Sequence, residues 1–165
     1  AAMITLSPFC AEYTAALIPF VVSFWGVHHD SVSDDDARDM LKEWSGADGH
    51  RLFVICGDER RPLGFLHTHI GGTVCWIDDI YVDMPYRRRG VAKAAIGLLE
   101  TACTAEGCRS FCMDVVPDNI PAMRLYYSLG YDRLSLITMR KDLDGFEVQR
   151  TETVGGLEMK VRKFD

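Results

Sequence analysis

Residues 73–106 read as strand, loop and helix with no break. The strand is "TVCWIDDIYVD" (73–83), the loop "MPYRRRG" (84–90), and the helix runs from about Val91 to Glu106. Val91, Ala94, Ala95, Leu98, Leu99 and Ala102 predict the apolar face of that helix, and Gly107 its stop. A helix start presents unpaired backbone N–H groups and the positive end of the helix dipole, which together make an anion site. Arg87, Arg88, Arg89 and Lys93 crowd this start, although the chain is acidic, with a formal net charge of −6. Gly90 permits close backbone approach or a positive φ. Ala92 is too small to block that approach, and Val91 can turn into the core. The arrangement points to a phosphate or pyrophosphate ligand. It is not a P-loop or a dinucleotide fingerprint, because neither G-x-x-x-x-G-K-[ST] nor G-x-G-x-x-G occurs.

The rest of the chain supplies the frame. "MITLS" (3–7) predicts a strand, and Ser7-Pro8 a capped helix start. Leu17, Phe20, Val21, Phe24 and Trp25 share one helical face, with Pro19 a candidate kink or break. Ser33 and Asp36 have capping-box spacing ahead of a second helix, whose stripe is Ala37, Met40, Leu41 and Trp44. Then the period changes from helical to alternating. "RLFVICG" (51–57), "PLGFLHTHI" (62–70) and residues 73–83 predict an antiparallel meander. After the central helix come a strand (109–116), a short helix over "PDNIPAMRLYYSLG", and a strand "LSLITMRKDL" (134–143). In the tail, "VGG" turns between two alternating segments. The order β-α-α-β-β-β-α-β-α-β predicts a mixed α/β fold with an antiparallel front half and a strand-helix-strand unit behind it, followed by a tail over 142–165.

Composition removes several classes. The 165 residues suit one domain, and 48% hydrophobic content is ordinary for a soluble core. The acidic balance argues against nucleic-acid binding. No run reaches the length of a membrane span. The most apolar one (13–25) carries Pro19, follows Glu12 and lacks a basic leader, so it is a poor signal peptide. The six cysteines form no C-x-x-C pair and sit in apolar segments, as reduced structural residues of a cytoplasmic protein do. No metal is expected from them.

Two motifs carry a resemblance. Arg87-x-x-Gly90-x-Ala92 resembles the (Arg/Gln)-x-x-Gly-x-(Gly/Ala) coenzyme A motif of the GNAT superfamily of N-acetyltransferases. Downstream, "NIPAMRLYYSLGY" (119–131) is similar to that family's Asn-x-x-Ala-x-x-x-Tyr-x-x-x-Gly-(Phe/Tyr) segment, at Asn119, Ala122, Tyr126, Gly130 and Tyr131. The resemblance covers residues 3–141. It implies a GNAT-like, mostly antiparallel central sheet with flanking helices. The strands carrying Tyr81 and Met113 would splay apart to admit a thioester. It implies acetyl-coenzyme A as co-substrate, with the backbone N–H groups of Arg88, Arg89, Gly90, Val91 and Ala92 on the pyrophosphate. Arg87 and Lys93 would lie beside them. The backbone of Ile80 and Val82, flanking Tyr81, would pair with the pantetheine arm, and Asn119 would bond its amides or a backbone carbonyl. Tyr126 matches the position of the acid that protonates the leaving sulfur; Tyr127 is about 100° round the helix.

Amine acetylation also needs a proton acceptor. Asp78 and Asp79 are the candidates. Regular alternation puts consecutive strand residues on opposite faces, so only one of them would enter the site. Asp78 keeps apolar company in that scheme (Val74, Trp76, Ile80, Val82), which favours it as base. The resemblance also gives it a substrate-binding role. His67 and His69 share a strand face and are read as ordinary surface or core residues. The region between the first two helices lines the acceptor pocket in the family, which brings in Trp25, His29 and Asp30. The expected activity is direct acetyl transfer, in a ternary complex, to the primary amine of a small molecule. The alternatives are a protein or peptide amine as acceptor, or a non-catalytic coenzyme A sensing module. The tail adds strands to its own domain or to a homodimer interface.

Overall fold

The computed structural model describes residues 3–27, 30–143 and 145–162. Two compact units result, one ending at Asp114 and the other beginning at Val115. Among the described residues no helix is long and apolar enough to cross a membrane.

In the first unit, β1 (Thr5–Pro8), β2 (His50–Cys56), β3 (Pro62–Gly71), β4 (Val74–Val82) and β5 (Ser110–Cys112) form one sheet in that order. Neighbours are antiparallel except β4 and β5, which are parallel. The β3–β4 turn contains Gly72 at φ 62°. Ser7 and Pro8 belong to β1 rather than to a helix start. An edge strand can hold Pro8, because a missing N–H matters least there. The first helix, α1 (Thr14–Val27), begins later, after a 3-10 turn at Ala11–Tyr13, and runs through Pro19 as one element. α2 (Asp34–Gly46) carries the expected capping box: Asp36 N–H donates to Ser33 Oγ at 3.1 Å, and Ser33 N–H to Asp36 Oδ2 at 3.1 Å. Those bonds from Ser33 hold the Asp36 carboxyl below its ordinary pKa.

One face of the sheet packs under α1 and α2. Leu17 and Val21 of α1 and Ala37 and Leu41 of α2 meet Leu52, Val54, Phe65 and Tyr81 from the strands. Phe65 is fully buried and lies edge-on to Phe24, 5.7 Å between ring centres. The other face is covered by α3 (Val91–Ala105), through Val91, Ala95, Ile96, Leu99 and Cys103. The predicted α3 stripe was rotated: Leu98 is 41% exposed and Ala102 is exposed. Either flank of the Val91–Ala95–Leu99 line is apolar, so periodicity could not choose between them.

The second unit holds α4 (Ile120–Ser128) and a hairpin of β6 (Val148–Val154) and β7 (Leu157–Arg162). Gly155 and Gly156, both at positive φ, make the expected "VGG" turn. The strand predicted over 134–143 does not form. Its alternating pattern is real, but Leu134 and Leu136 are about four-fifths exposed and no ladder takes the segment. The strand predicted over 109–116 is cut to Ser110–Cys112.

Candidate active site

A single extra residue in β4 shapes the site. His67 pairs with Asp79 and Thr68 with Ile77, so Asp78 is a bulge with no partner of its own. The alternation of β4 therefore changes phase at Asp78. Before it, Cys75 is buried toward α3, where its thiol meets Cys103, while Trp76 stacks on His69. After it, Tyr81 points the other way, against Phe20 and Phe65 under α1 and α2. The expectation that Asp78 and Asp79 face opposite sides is thus corrected, as is the apolar company given to Asp78. Asp78 accepts from His69 Nδ1 at 2.8 Å, and Asp79 Oδ2 lies 2.7 Å from His67 Nδ1. Both carboxylates stand on the histidine face.

That face carries more than the sequence suggested. His67, 4% exposed, also meets His50, with Nε2 2.9 Å from His50 Nδ1. The rings of Trp44, His67, His50, His69 and Trp76 form a continuous stack, with centres 4.8–6.0 Å apart. His67 and His69 are therefore parts of one polar network rather than isolated residues. His50 was not singled out from sequence, and Trp44 was read only as part of the α2 stripe. The available signal was the β2–β3 pairing, which sets His50 opposite His69.

β4 also offers a backbone edge. β5 pairs only with Val74, Cys75 and Trp76. Among the described residues no strand continues that ladder along Ile77–Val82, and this is the opening expected between the two strands. The Asp83 N–H bonds Leu63 C=O on β3, 2.8 Å away. By alternation Val82 and Ile80 turn their N–H and C=O groups to the open edge. Arg87 confirms that direction for Val82, because its Nε donates to Val82 C=O at 2.7 Å. The Arg87 guanidinium also lies over the Tyr81 ring, 5.2 Å from its centre.

The loop beyond β4 leads straight into α3. Gly90 caps the helix in the left-handed region at φ 80°, with no side-chain cap on the N–H groups. The first intrahelical bond is Ala94 N–H to Gly90 C=O at 2.9 Å, so the N–H groups of Val91, Ala92 and Lys93 have no acceptor within α3. Arg88 also adopts a positive φ, 60°, a strained state for a non-glycine residue of the kind that gathers at binding loops. A Cβ built on Gly90 meets no atom within 4 Å. This geometry fits a pyrophosphate group: a clear approach, free donors and flanking arginines.

The remaining candidates are scattered. Trp25, on α1, is part-buried against the core. Asp30 is exposed, and its N–H bonds Trp25 C=O at 3.0 Å. His29 lies outside the described residues. In the second unit, Asn119 caps α4 by accepting from Ala122 N–H at 3.2 Å. Tyr126 packs edge-on to Tyr131, and burial raises its phenol pKa. Burial, chiefly, pushes the Cys75 thiol up to about 12, which disfavours the thiolate that a nucleophile needs.

A sheet that opens beside an anion-ready helix start fits the acyltransferase fold that the two sequence motifs resemble, and comparison with known proteins agrees. The family model described as "Acetyltransferase (GNAT) family" matches residues 16–131. Aminoglycoside N(6')-acetyltransferase type 1 of Salmonella typhimurium (strain LT2) is 27% identical over 117 residues, which cover 66% of this chain and 77% of that relative. YycN of Bacillus subtilis (strain 168), named as an uncharacterized N-acetyltransferase, is 26% identical over 107 residues, covering 62% of this chain and 69% of that relative. Among solved structures, aminoglycoside N-acetyltransferase AAC(6')-Iy in complex with CoA gives a TM-score of 0.70 at 20% identity, covering 87% of this chain and 97% of that one. The same enzyme with the bisubstrate analogue CoA-S-monomethyl-acetylneamine gives 0.69 at 23% identity, covering 85% and 99%. The chain belongs to the GNAT family of acetyltransferases. It is an acetyl-CoA-dependent amine N-acetyltransferase.

Proposed function

We propose that the acceptor is a small, cationic molecule bearing a primary amine, acetylated directly in a ternary complex. The observation that carries this reading is the β4 bulge. It sets two carboxylates on one face, next to the open strand edge. A paired negative site attracts an ammonium group, and either carboxylate can take the proton the amine must lose. Asp78, whose histidine partner His69 is partly exposed, is the favoured acceptor of that proton, while Asp79 is held against the buried His67. The curated relatives named as aminoglycoside acetyltransferases are consistent with a polycationic small molecule.

Acetyl-CoA supplies an activated acetyl thioester. On this reading the N–H groups of Arg88 through Ala92 hold its pyrophosphate, Arg87 and Lys93 offset its charge, and Ile80 and Val82 pair with its pantetheine arm. Tyr126 is the acid. A phenol whose pKa is raised by burial stays protonated at neutral pH, and so keeps a proton to donate to the departing sulfur. The raised thiol pKa of Cys75 supports direct transfer over an acetyl-enzyme formed at that residue.

The test is thiol release from acetyl-CoA against pooled aminoglycosides, polyamines, amino acids and short peptides. Release with the first two pools is the expected outcome. Release with peptides alone would replace the small-molecule reading. Tyr126→Phe is expected to lower kcat by about 100-fold and leave acetyl-CoA affinity unchanged. An unchanged kcat would remove Tyr126 from the acid role.

A further inference from the structure

We propose that His50, His67 and Asp78 form a binding site for Zn2+ or a similar first-row divalent ion. One ligand atom from each lies within 4.8 Å of the others. The donors come from β2, β3 and β4 and converge on one face of the sheet. Four features make this a built site rather than a chance meeting.

The first is tautomer control. Asp79 accepts from His67 Nδ1, 2.7 Å away, so the Nδ1 of the neutral ring carries the proton and Nε2 is left as a lone pair. Nε2 is the atom that faces His50 and Asp78. A carboxylate behind a histidine, fixing its ring and raising its basicity, is the usual support for a metal-bound imidazole. The second feature repeats this for the carboxylate ligand: His69 Nδ1 bonds Asp78, at 2.8 Å, and orients it. The third is rigidity. Trp44 stacks on the His67 ring at 14°, with centres 4.8 Å apart, and hinders a ring flip.

The fourth is distance. Tetrahedral Zn2+ with Zn–N bonds of 2.0–2.1 Å separates two nitrogens by about 3.3 Å. His50 Nδ1 and His67 Nε2 stand 2.9 Å apart, so a few tenths of an ångström suffice. Asp78 Oδ2 is 4.0 Å from His67 Nε2, and the three ligand atoms lie within 4.8 Å of one another, so Asp78 must close by up to about 1.5 Å, a side-chain rotation. Binding is simple coordination. The proton shared between the two imidazoles leaves His50 Nδ1, and His50 takes one at Nε2, so the ring stays neutral. Two nitrogens, one carboxylate and a water complete four-coordination. The charges of Asp78 and Asp79 together offset those of the ion. Two nitrogen donors disfavour Mg2+ and Ca2+. The ion is no ingredient of acetyl transfer, whose co-substrate is acetyl-CoA; Asp78, the proton acceptor of the proposed function, is also its carboxylate ligand, so a bound ion takes that carboxylate out of the reaction and lowers turnover.

The experiment uses the full chain after chelator treatment, titrated with Zn2+ by calorimetry and with Co2+ by visible absorption. The expected result is one ion per chain at micromolar affinity or better, with the strong visible bands of tetrahedral Co2+. Asp79→Asn should weaken binding by about 10- to 100-fold. His67→Ala and His50→Ala should each abolish the Co2+ bands. His67 is buried, so circular dichroism accompanies its variant, and His50→Ala, at a part-exposed position, decides the matter if His67→Ala does not fold. No binding, or binding and bands unchanged in His50→Ala, would overturn the proposal.

Discussion

Gly90→Glu is expected to weaken acetyl-CoA binding by about 100-fold or more, which corresponds to about 2.7 kcal/mol, while the protein stays folded. The reasoning begins with the backbone. Gly90 sits at φ 80°, where any side chain costs about 1–2 kcal/mol. A Cβ at this position meets no atom within 4 Å, so nothing in the core is disturbed. The glutamate carboxylate would stand among the N–H groups of Val91, Ala92 and Lys93, which are otherwise open to the pyrophosphate. Like charges in one cradle repel, and the helix dipole that favoured the ligand now favours the mutant side chain. Gly90→Asn separates geometry from charge, because asparagine tolerates the left-handed region. It should keep affinity within about 10-fold, roughly one step of 1.4 kcal/mol. Calorimetric titration with acetyl-CoA measures both. Wild-type affinity in Gly90→Glu would mean that the pyrophosphate lies elsewhere.

Gly64→Ala is the second large effect, and it acts on the fold. Gly64 pairs with Val82, and a Cβ there would stand 2.0 Å from the backbone oxygen of Tyr81 and 3.0 Å from the Val82 Cα. These are backbone atoms, so no rotamer change relieves the clash; β3 and β4 must separate. Overpacking usually costs about 1–3 kcal/mol, and a main-chain clash belongs at or above the top of that range. The melting temperature should fall by about 6–12 °C. Displacement of Ile80 and Val82 should also weaken acetyl-CoA binding. Gly97→Ala is the matching control. It lies in α3, where its Cβ has open space, and alanine there should stabilise by about 0.5–1 kcal/mol. Equal melting temperatures for Gly64→Ala and wild type would show that the two strands are not held as closely as described.

The shape of the loop over 84–90 was legible because its signals are local. Gly90, the arginines and the helix start all lie within one turn of each other, and glycine at positive φ has few substitutes. The capping box of α2 and the "VGG" turn were legible for the same reason. What could not be read was register. Alternation assigns faces correctly only while a strand is regular, and nothing in "WIDDIYV" marks Asp78 as the extra residue. The histidine network inherited that gap, since His50, His67 and Asp79 meet only through pairings across three strands. The segment 134–143 failed for a different reason. Its pattern meets the local requirement of a strand, but a strand also needs a neighbour, and local sequence says nothing about one.

The phase change in β4 also has a mechanical meaning. Ahead of Asp78 the strand is fastened on the α3 side by Cys75; beyond it, Tyr81 fastens the same strand on the α1 and α2 side. A beam held from above at one end and from below at the other turns, when it moves, about a point between the two clamps. Its point of least travel falls between the clamps, and Asp78 and Asp79 occupy that point. The strand thus places its two carboxylates at a fulcrum, where tightening or loosening of either helical layer displaces them least.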